Sequence, residues 1–301
     1  MPKKPRWRSY CERLVVDLEA VEALMMELLD ASTIVHSDPN RYAHSGVAVI
    51  APTTRWGRSD EKQTRLQMRG TAAYDEWFIR FRLLFRSPTP RLRDSMKEAD
   101  KFVRAWFERG GSDWGVPSEM SAAKEKAQGK FEELRSILRL ACGEEEQGPA
   151  IVAVPDTNAL IDVADLASYA GPLGQATYDV RLVPTVLGEI DDLKRSGRVQ
   201  DLRDAARRVD RMLKGLRDRG DVRAGVRVTK SVSVVFEVAE PTFEGLPGWL
   251  DPKVPDDRFV ASALLLQSSM PTKAVVIVTS DLNVENKVAA VGLPHVEPPV
   301  P

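Results

Sequence analysis

The chain has 301 residues, 43% apolar and 29% charged, a composition suited to a globular protein with material for two ordinary domains. Its formal net charge of -1 exerts no global pull toward nucleic acid, so any such affinity must come from a local patch. The two cysteines, Cys11 and Cys142, stand in unrelated contexts without CxxC spacing, which argues against a disulfide framework or a thiolate zinc site and favours a reducing, cytoplasmic setting.

The chain starts with a basic run, Met1 to Arg8, that no apolar stretch follows. Apolar runs elsewhere are too short to span a bilayer, so neither secretion nor a membrane partner is expected. Leu14, Leu18, Val21, Met25 and Leu28 then recur at helical spacing. Residues 34 to 61, with His36, His44 and Trp56, read as a long irregular connection. From Lys62 to Arg86, Tyr74, Trp77, Phe78, Phe81 and Leu84 share one helix side with arginines between them, which suits a helix core more often than a base-stacking surface. Thr89-Pro90 is a helix start and Gly110-Gly111 a stop. Val103, Trp106 and Phe107, then Phe131, Leu134, Ile137 and Leu138, continue the helical period. Residues 1–142 are therefore expected to form an all-helical domain of unassigned role, closed by a charged, glycine-bracketed linker at 143–149.

Beyond the linker, in 150–301, the texture changes. Short β-branched runs at Ile151–Val154, Val180–Val183, Val232–Val238 and Ala274–Val278, with a weaker one near His295-Val296, alternate with helical patterns. Those patterns lie near residues 158–169, 185–194, 202–216, 256–267 and 282–291. Alternation of this kind predicts an α/β fold, a central parallel sheet between helical layers. Between Lys194 and Lys230, thirteen Lys or Arg face five Asp, a local basic patch in an otherwise acidic half. Arginine-aspartate pairing on a solvated helix face explains such a patch as readily as nucleic acid does.

Four acids stand at the ends of these strand runs: Asp156, Glu189, Asp256 and Asp281. In an open α/β sheet ligands bind beyond the carboxyl ends of the strands, where the chain order reverses. Asp156, Asp256 and Asp281 each precede a helical pattern, and an aspartate there, taken singly, is explained more readily by helix capping, worth about 1 kcal/mol. Glu189 lies within a helix, beside Val186, Ile190 and Leu193, and has no such explanation. Clustered carboxylates repel unless a cation neutralises them, and oxygen ligands favour Mg²⁺ or Mn²⁺ over zinc. A carboxylate-held metal pair suits in-line phosphoryl displacement.

The frames around these acids are Val154-Pro155-Asp156-Thr157-Asn158, Gly188-Glu189-Ile190-Asp191, Pro255-Asp256-Asp257-Arg258 and Thr279-Ser280-Asp281-Leu282-Asn283. In this order they resemble the PIN domain nucleases, over roughly the C-terminal half. The resemblance implies a PIN-like three-layer α/β/α fold and metal-dependent endonucleolytic cleavage, with single-stranded RNA the favoured substrate. Asp156, Glu189, Asp256 and Asp281 would be its catalytic and metal-holding set. Asp257 is a second metal contact it allows, and Asn158, Thr279 and Asn283 would support the pocket. Arg203, Arg207, Arg211 and Lys214 are the residues expected to bind backbone phosphates. A regulatory protein or a second copy of the chain is the other partner considered. A nucleic-acid-binding or regulatory module without independent catalysis is the alternative, and a phosphoacceptor domain is a weaker one because no lysine closes the late strand.

Overall fold

Leu14, Leu18, Val21, Met25 and Leu28 are all buried on one face of α1 (Tyr10–Asp30), as their spacing requires. The computed structural model describes residues 7–36, 54–109, 115–143, 148–196 and 199–300. His44, the Gly110-Gly111 stop and the acidic centre of the 143–149 segment lie outside them. Contacts divide the chain into two compact units, Arg13–Gly143, and Glu144–Pro301 together with Met1–Glu12.

In the first unit α1 is followed by β1 (Ile34–His36) and β2 (Thr54–Trp56), which pair antiparallel with Val35 opposite Arg55. This pair falls in the segment read as irregular, where three-residue strands leave too little alternation to detect. Three helices follow, α2 (Glu61–Leu83), α3 (Pro90–Glu108) and α4 (Met120–Cys142). A capping box opens α2: Asp60 accepts from the Gln63 amide at 2.8 Å, and the Gln63 side chain accepts from the Asp60 amide at 2.8 Å. Thr89 caps α3 with Pro90 at its first position, and Arg109 ends it in the left-handed conformation at φ 49°. Tyr74, Trp77, Phe78 and Phe81 are buried, so the aromatic stripe of α2 is core. Trp77 also donates its indole N–H to the Leu14 carbonyl at 2.8 Å, satisfying the polar end of a buried ring. At Gly70 an added Cβ would sit 2.0 Å from the Phe107 ring, so only glycine permits α2 to approach α3 this closely.

The second unit runs β3 (Ile151–Pro155), α5 (Thr157–Asp162), α6 (Ala170–Leu173), β4 (Tyr178–Leu182), α7 (Pro184–Ser196), α8 (Gln200–Arg217), β5 (Val226–Arg227), β6 (Val232–Phe236), α9 (Pro255–Ser269), β7 (Ala274–Val278), α10 (Leu282–Ala290) and β8 (His295–Val296). Among the described residues its strands form one six-stranded sheet in the order β5-β6-β4-β3-β7-β8. The strands pair in parallel except at the β5 edge, where Val226 lies antiparallel to Val234. Helices flank this sheet, as an α/β/α fold requires. Every residue of β3 and β7 is buried, which explains their unbroken apolar composition: a central parallel strand is covered on both faces. From β3 the chain passes to β4 on one side, while β7 pairs on the other, so the strand order reverses between β3 and β7.

The expected central parallel sheet is present, with one antiparallel edge strand, β5, whose two residues are too short to leave a periodic signal. Two expectations need correction. The helix read across 158–169 stops at Asp162, with α6 starting only at Ala170, and tyrosine hydroxyls take up carbonyls between the two: Tyr169 donates to Val163 at 3.0 Å and Tyr178 to Leu166 at 2.7 Å. Neither Cys11 nor Cys142 is a free thiol; local sequence does not report the partner of a cysteine, and the inference from unpaired thiols to a reducing cytosol falls. Among the described residues no helix is long and apolar enough to cross a membrane.

Candidate functional site

The reversal of strand order opens a cavity of about 300 Å³ at the carboxyl edge of the sheet. Asp156, Asn158, Glu189, Asp256 and Asp281 all line it, drawn from four stretches spanning 126 residue numbers from 156 to 281. Val186, Leu193, Phe259 and Val284 supply apolar walls.

Each acid arrives by a different local device. Asp156 follows β3 and caps α5, its Oδ1 accepting from the Ala159 amide at 2.7 Å. Its own amide donates to the Val278 carbonyl at 3.0 Å, which ties it to the end of β7. Asp281 follows β7 and caps α10, accepting from the Asn283 amide at 2.8 Å. Asp256 does not cap α9: Val254 holds that position and Pro255 the first helical one, leaving Asp256 in the first turn. The capping explanation therefore accounts for two of the three aspartates. Glu189 projects from α7, and the Thr157 hydroxyl donates to it.

Thr279 and Asn158 connect the set. The fully buried Thr279 hydroxyl donates to Asp156 Oδ2 and accepts from the Asp281 amide at 3.0 Å, joining the acids of β3 and β7 through one side chain. Asn158 donates its side-chain amide to Asp281 at 3.2 Å. Asn283 contributes through its backbone amide.

The two adjacent aspartates of α9 separate. Asp256 faces the cavity, whereas Asp257 is buried in the wall, its Oδ2 accepting from the Asp251 amide at 2.9 Å. Lys287 of α10 lies between them, 3.2 Å from Asp256 and 2.8 Å from Asp257. Burial alone pushes the Asp257 carboxyl up, but the Asp251 amide and Lys287 outweigh it and hold the group below its usual range. Burial works against charge on Lys287, and the two aspartates overcome it, raising its pKa.

Asp156 and Glu189 feel the opposite balance. Burial is the main force on Asp156 and raises its pKa to about 6 despite the Thr279 and Ala159 hydrogen bonds, with Asp281 and Glu189 adding to the rise. Glu189 is raised by burial first; the Thr157 hydroxyl opposes that rise, Asp256 and Asp192 add to it, and Arg258 works against them. Perturbed carboxyls in a cleft are the pattern of a functional site.

Three contributors escaped the sequence reading: Thr157, whose hydroxyl meets Glu189, Asp192 and Lys287. Asp192 lines the cavity three residues after Glu189, a spacing that puts both on one side of α7. Lys287 stands six residues past Asp281, beyond the last acidic frame, where nothing hinted that it would meet α9. Arg203, Arg207, Arg211 and Lys214 lie on α8, outside the cavity lining. Several are engaged locally: Arg203 with Gln200 at 2.6 Å, Arg207 with Asp204 at 3.0 Å and Lys214 with Asp210 at 2.9 Å, while Arg211 is exposed.

Among the described residues, no three His, Cys, Asp or Glu side chains are gathered closely enough to hold a metal ion. Their donor chemistry nevertheless fits a hard divalent cation, since all four expected ligands are carboxylates around one cavity.

Residues 153–297 match the PIN domain family. The match runs from within β3 to β8 and includes every acid of the cavity, and it supports a nucleic-acid-directed, nuclease-like module. Residues 13–143 lie outside the PIN domain match. No curated protein matches the chain.

Proposed function

We propose that the PIN domain is a metal-dependent endoribonuclease that hydrolyses phosphodiester bonds in single-stranded RNA. The observation that carries this reading is the convergence of Asp156, Glu189, Asp256 and Asp281 on one cavity at the reversal of strand order. These four residues would hold Mg²⁺ or Mn²⁺, with Asp257 behind Asp256 in the wall. A divalent cation there supplies a water of lowered pKa and stabilises charge on the leaving oxygen.

The chain's own groups do the positioning. Thr279 fixes the rotamer of Asp156 and anchors the backbone of Asp281, while Thr157 and Asn158 orient Glu189 and Asp281. Val186, Leu193, Phe259 and Val284 make parts of the cavity wall apolar, which strengthens electrostatic interactions inside it. On α8, Arg203, Arg207, Arg211 and Lys214 would hold backbone phosphates without reading sequence.

A second reading is a nucleic-acid-binding module that does not cut. It is favoured by the protein donors that already engage each acid. Purified full-length protein incubated with single-stranded RNA and Mg²⁺ or Mn²⁺, beside Asp156→Asn and Glu189→Gln, separates the two. Cleavage by wild type that drops at least about 100-fold in each variant supports the nuclease. Equal cleavage by all three sinks it, and RNA binding without cleavage in either metal favours the second reading.

A further inference from the structure

The α9 side of the cavity differs from the rest because a cation of the protein is already seated there. Lys287 Nζ lies 3.2 Å from Asp256 Oδ2 and 2.8 Å from Asp257 Oδ1. The lysine is itself held: Asp257 is buried and anchored by the Asp251 amide at 2.9 Å, so the ammonium cannot follow Asp256 away without leaving a buried carboxylate behind. A relay therefore runs from the Asp251 backbone through Asp257 and Lys287 to the cavity wall at Asp256. At the other expected ligands the hydrogen-bond donors are neutral, Thr279 and the Ala159 amide at Asp156, Thr157 at Glu189, Asn158 and the Asn283 amide at Asp281, with Arg258 acting on Glu189 through its charge.

Resting on the metal-dependent reading of this cavity, we propose that Lys287 is a positioning residue and resident counter-ion of Asp256, against which an entering divalent cation must compete. Lys287 keeps one Asp256 oxygen turned toward α10 and leaves the other for the cavity. It also weakens cation binding. A unit positive charge one carboxylate away from a divalent ion lowers its affinity on the order of tenfold even in a water-like dielectric. The lysine thus keeps the bound cation exchangeable and keeps Asp256 and Asp257 from repelling each other while the cavity waits for it.

The simpler role, an ion pair that only fastens α10 to α9, makes a different prediction. It changes stability and leaves cation affinity alone. The test is calorimetric titration of the full chain with Mn²⁺, without RNA, for wild type, Lys287→Met, Lys287→Arg, Asp257→Asn and the double variant Asp257→Asn/Lys287→Met. Lys287→Met is expected to bind Mn²⁺ about tenfold more tightly than wild type. Lys287→Arg, which retains the charge, should stay within about twofold of wild type. Should the single methionine variant fail to fold because Asp257 is stranded, the double variant decides. It removes the buried charge together with its partner, keeps an oxygen for the Asp251 amide, and should bind about tenfold more tightly than Asp257→Asn alone. Equal or weaker binding in both comparisons overturns the counter-ion role. A folded wild type that binds no Mn²⁺ overturns the metal-dependent reading as well, so the two failures are told apart by the wild-type titration.

Discussion

Replacing Thr279 by valine keeps the shape of a fully buried side chain and removes a single hydroxyl that serves both Asp156 and Asp281. At pH 8 Asp156, with its pKa raised to about 6, is ionised. A hydrogen bond to a charged acceptor contributes roughly 1.5–3 kcal/mol, and the orphaned Asp281 amide adds about 1, so a loss of roughly 3 kcal/mol is expected. At pH 5 Asp156 is mainly protonated, its bond to Thr279 joins two neutral groups worth about 1 kcal/mol, and the loss falls to roughly 2. The valine variant should therefore be less stable at both values and by about 1 kcal/mol more at the higher one. Urea unfolding of wild type and variant in a chelating buffer at pH 5 and pH 8 measures this directly. A penalty equal at the two pH values, or under about 0.5 kcal/mol at pH 8, refutes the placement of Thr279 as the donor to an ionised Asp156.

Because Asp156 and Glu189 are both raised by burial, Mn²⁺ binding should weaken as pH falls through about 6, where protons compete for the same oxygens; a flat titration from pH 5 to pH 8 contradicts this. The sign for stability is opposite: raised carboxyl pKa values favour the folded, metal-free protein at low pH, and this contribution is lost as pH rises through the folded value. On α8, Arg211→Ala should weaken single-stranded RNA binding and lower the slope of log affinity against log salt by about 1, with turnover at saturating RNA unchanged. Unaltered affinity at low salt would remove α8 from the RNA path. In the helical unit, Gly70→Ala places a methyl 2.0 Å from Phe107 and should cost about 1–3 kcal/mol, read as a lowered midpoint in thermal unfolding, while a neutral result denies the tight α2–α3 approach.

The parts of this molecule visible beforehand are those with strong local chemistry. Ile151-Val-Ala-Val and Ala274-Val-Val-Ile-Val are long enough and apolar enough to announce buried strands, and all their residues are buried. Thr89-Pro90 marks the start of α3 because a proline lacks the amide that the first helical position leaves unpaired. The antiparallel pair of Ile34–His36 with Thr54–Trp56, and the β5 edge at Val226–Arg227, have two or three residues per strand and no period to read. The disulfide state of Cys11 and Cys142 is invisible for another reason, since a thiol's neighbours in sequence carry no record of its neighbours in space.

By itself the sequence determined that acids follow the strands, because an aspartate after an apolar run is a local fact of composition and turn chemistry. It also marked Glu189 as the acid that capping does not explain. Only the tertiary structure decided which oxygens face the cavity. Pro255 takes the first position of α9, and the helix then turns Asp256 toward the cavity and Asp257 into the wall, a difference of one residue and about 100° around the axis. The partner of those two aspartates, Lys287, stands thirty-one positions after Asp256 on another helix. Charge pairing across helices follows packing rather than spacing, so that ammonium could be found only once α9 and α10 were side by side.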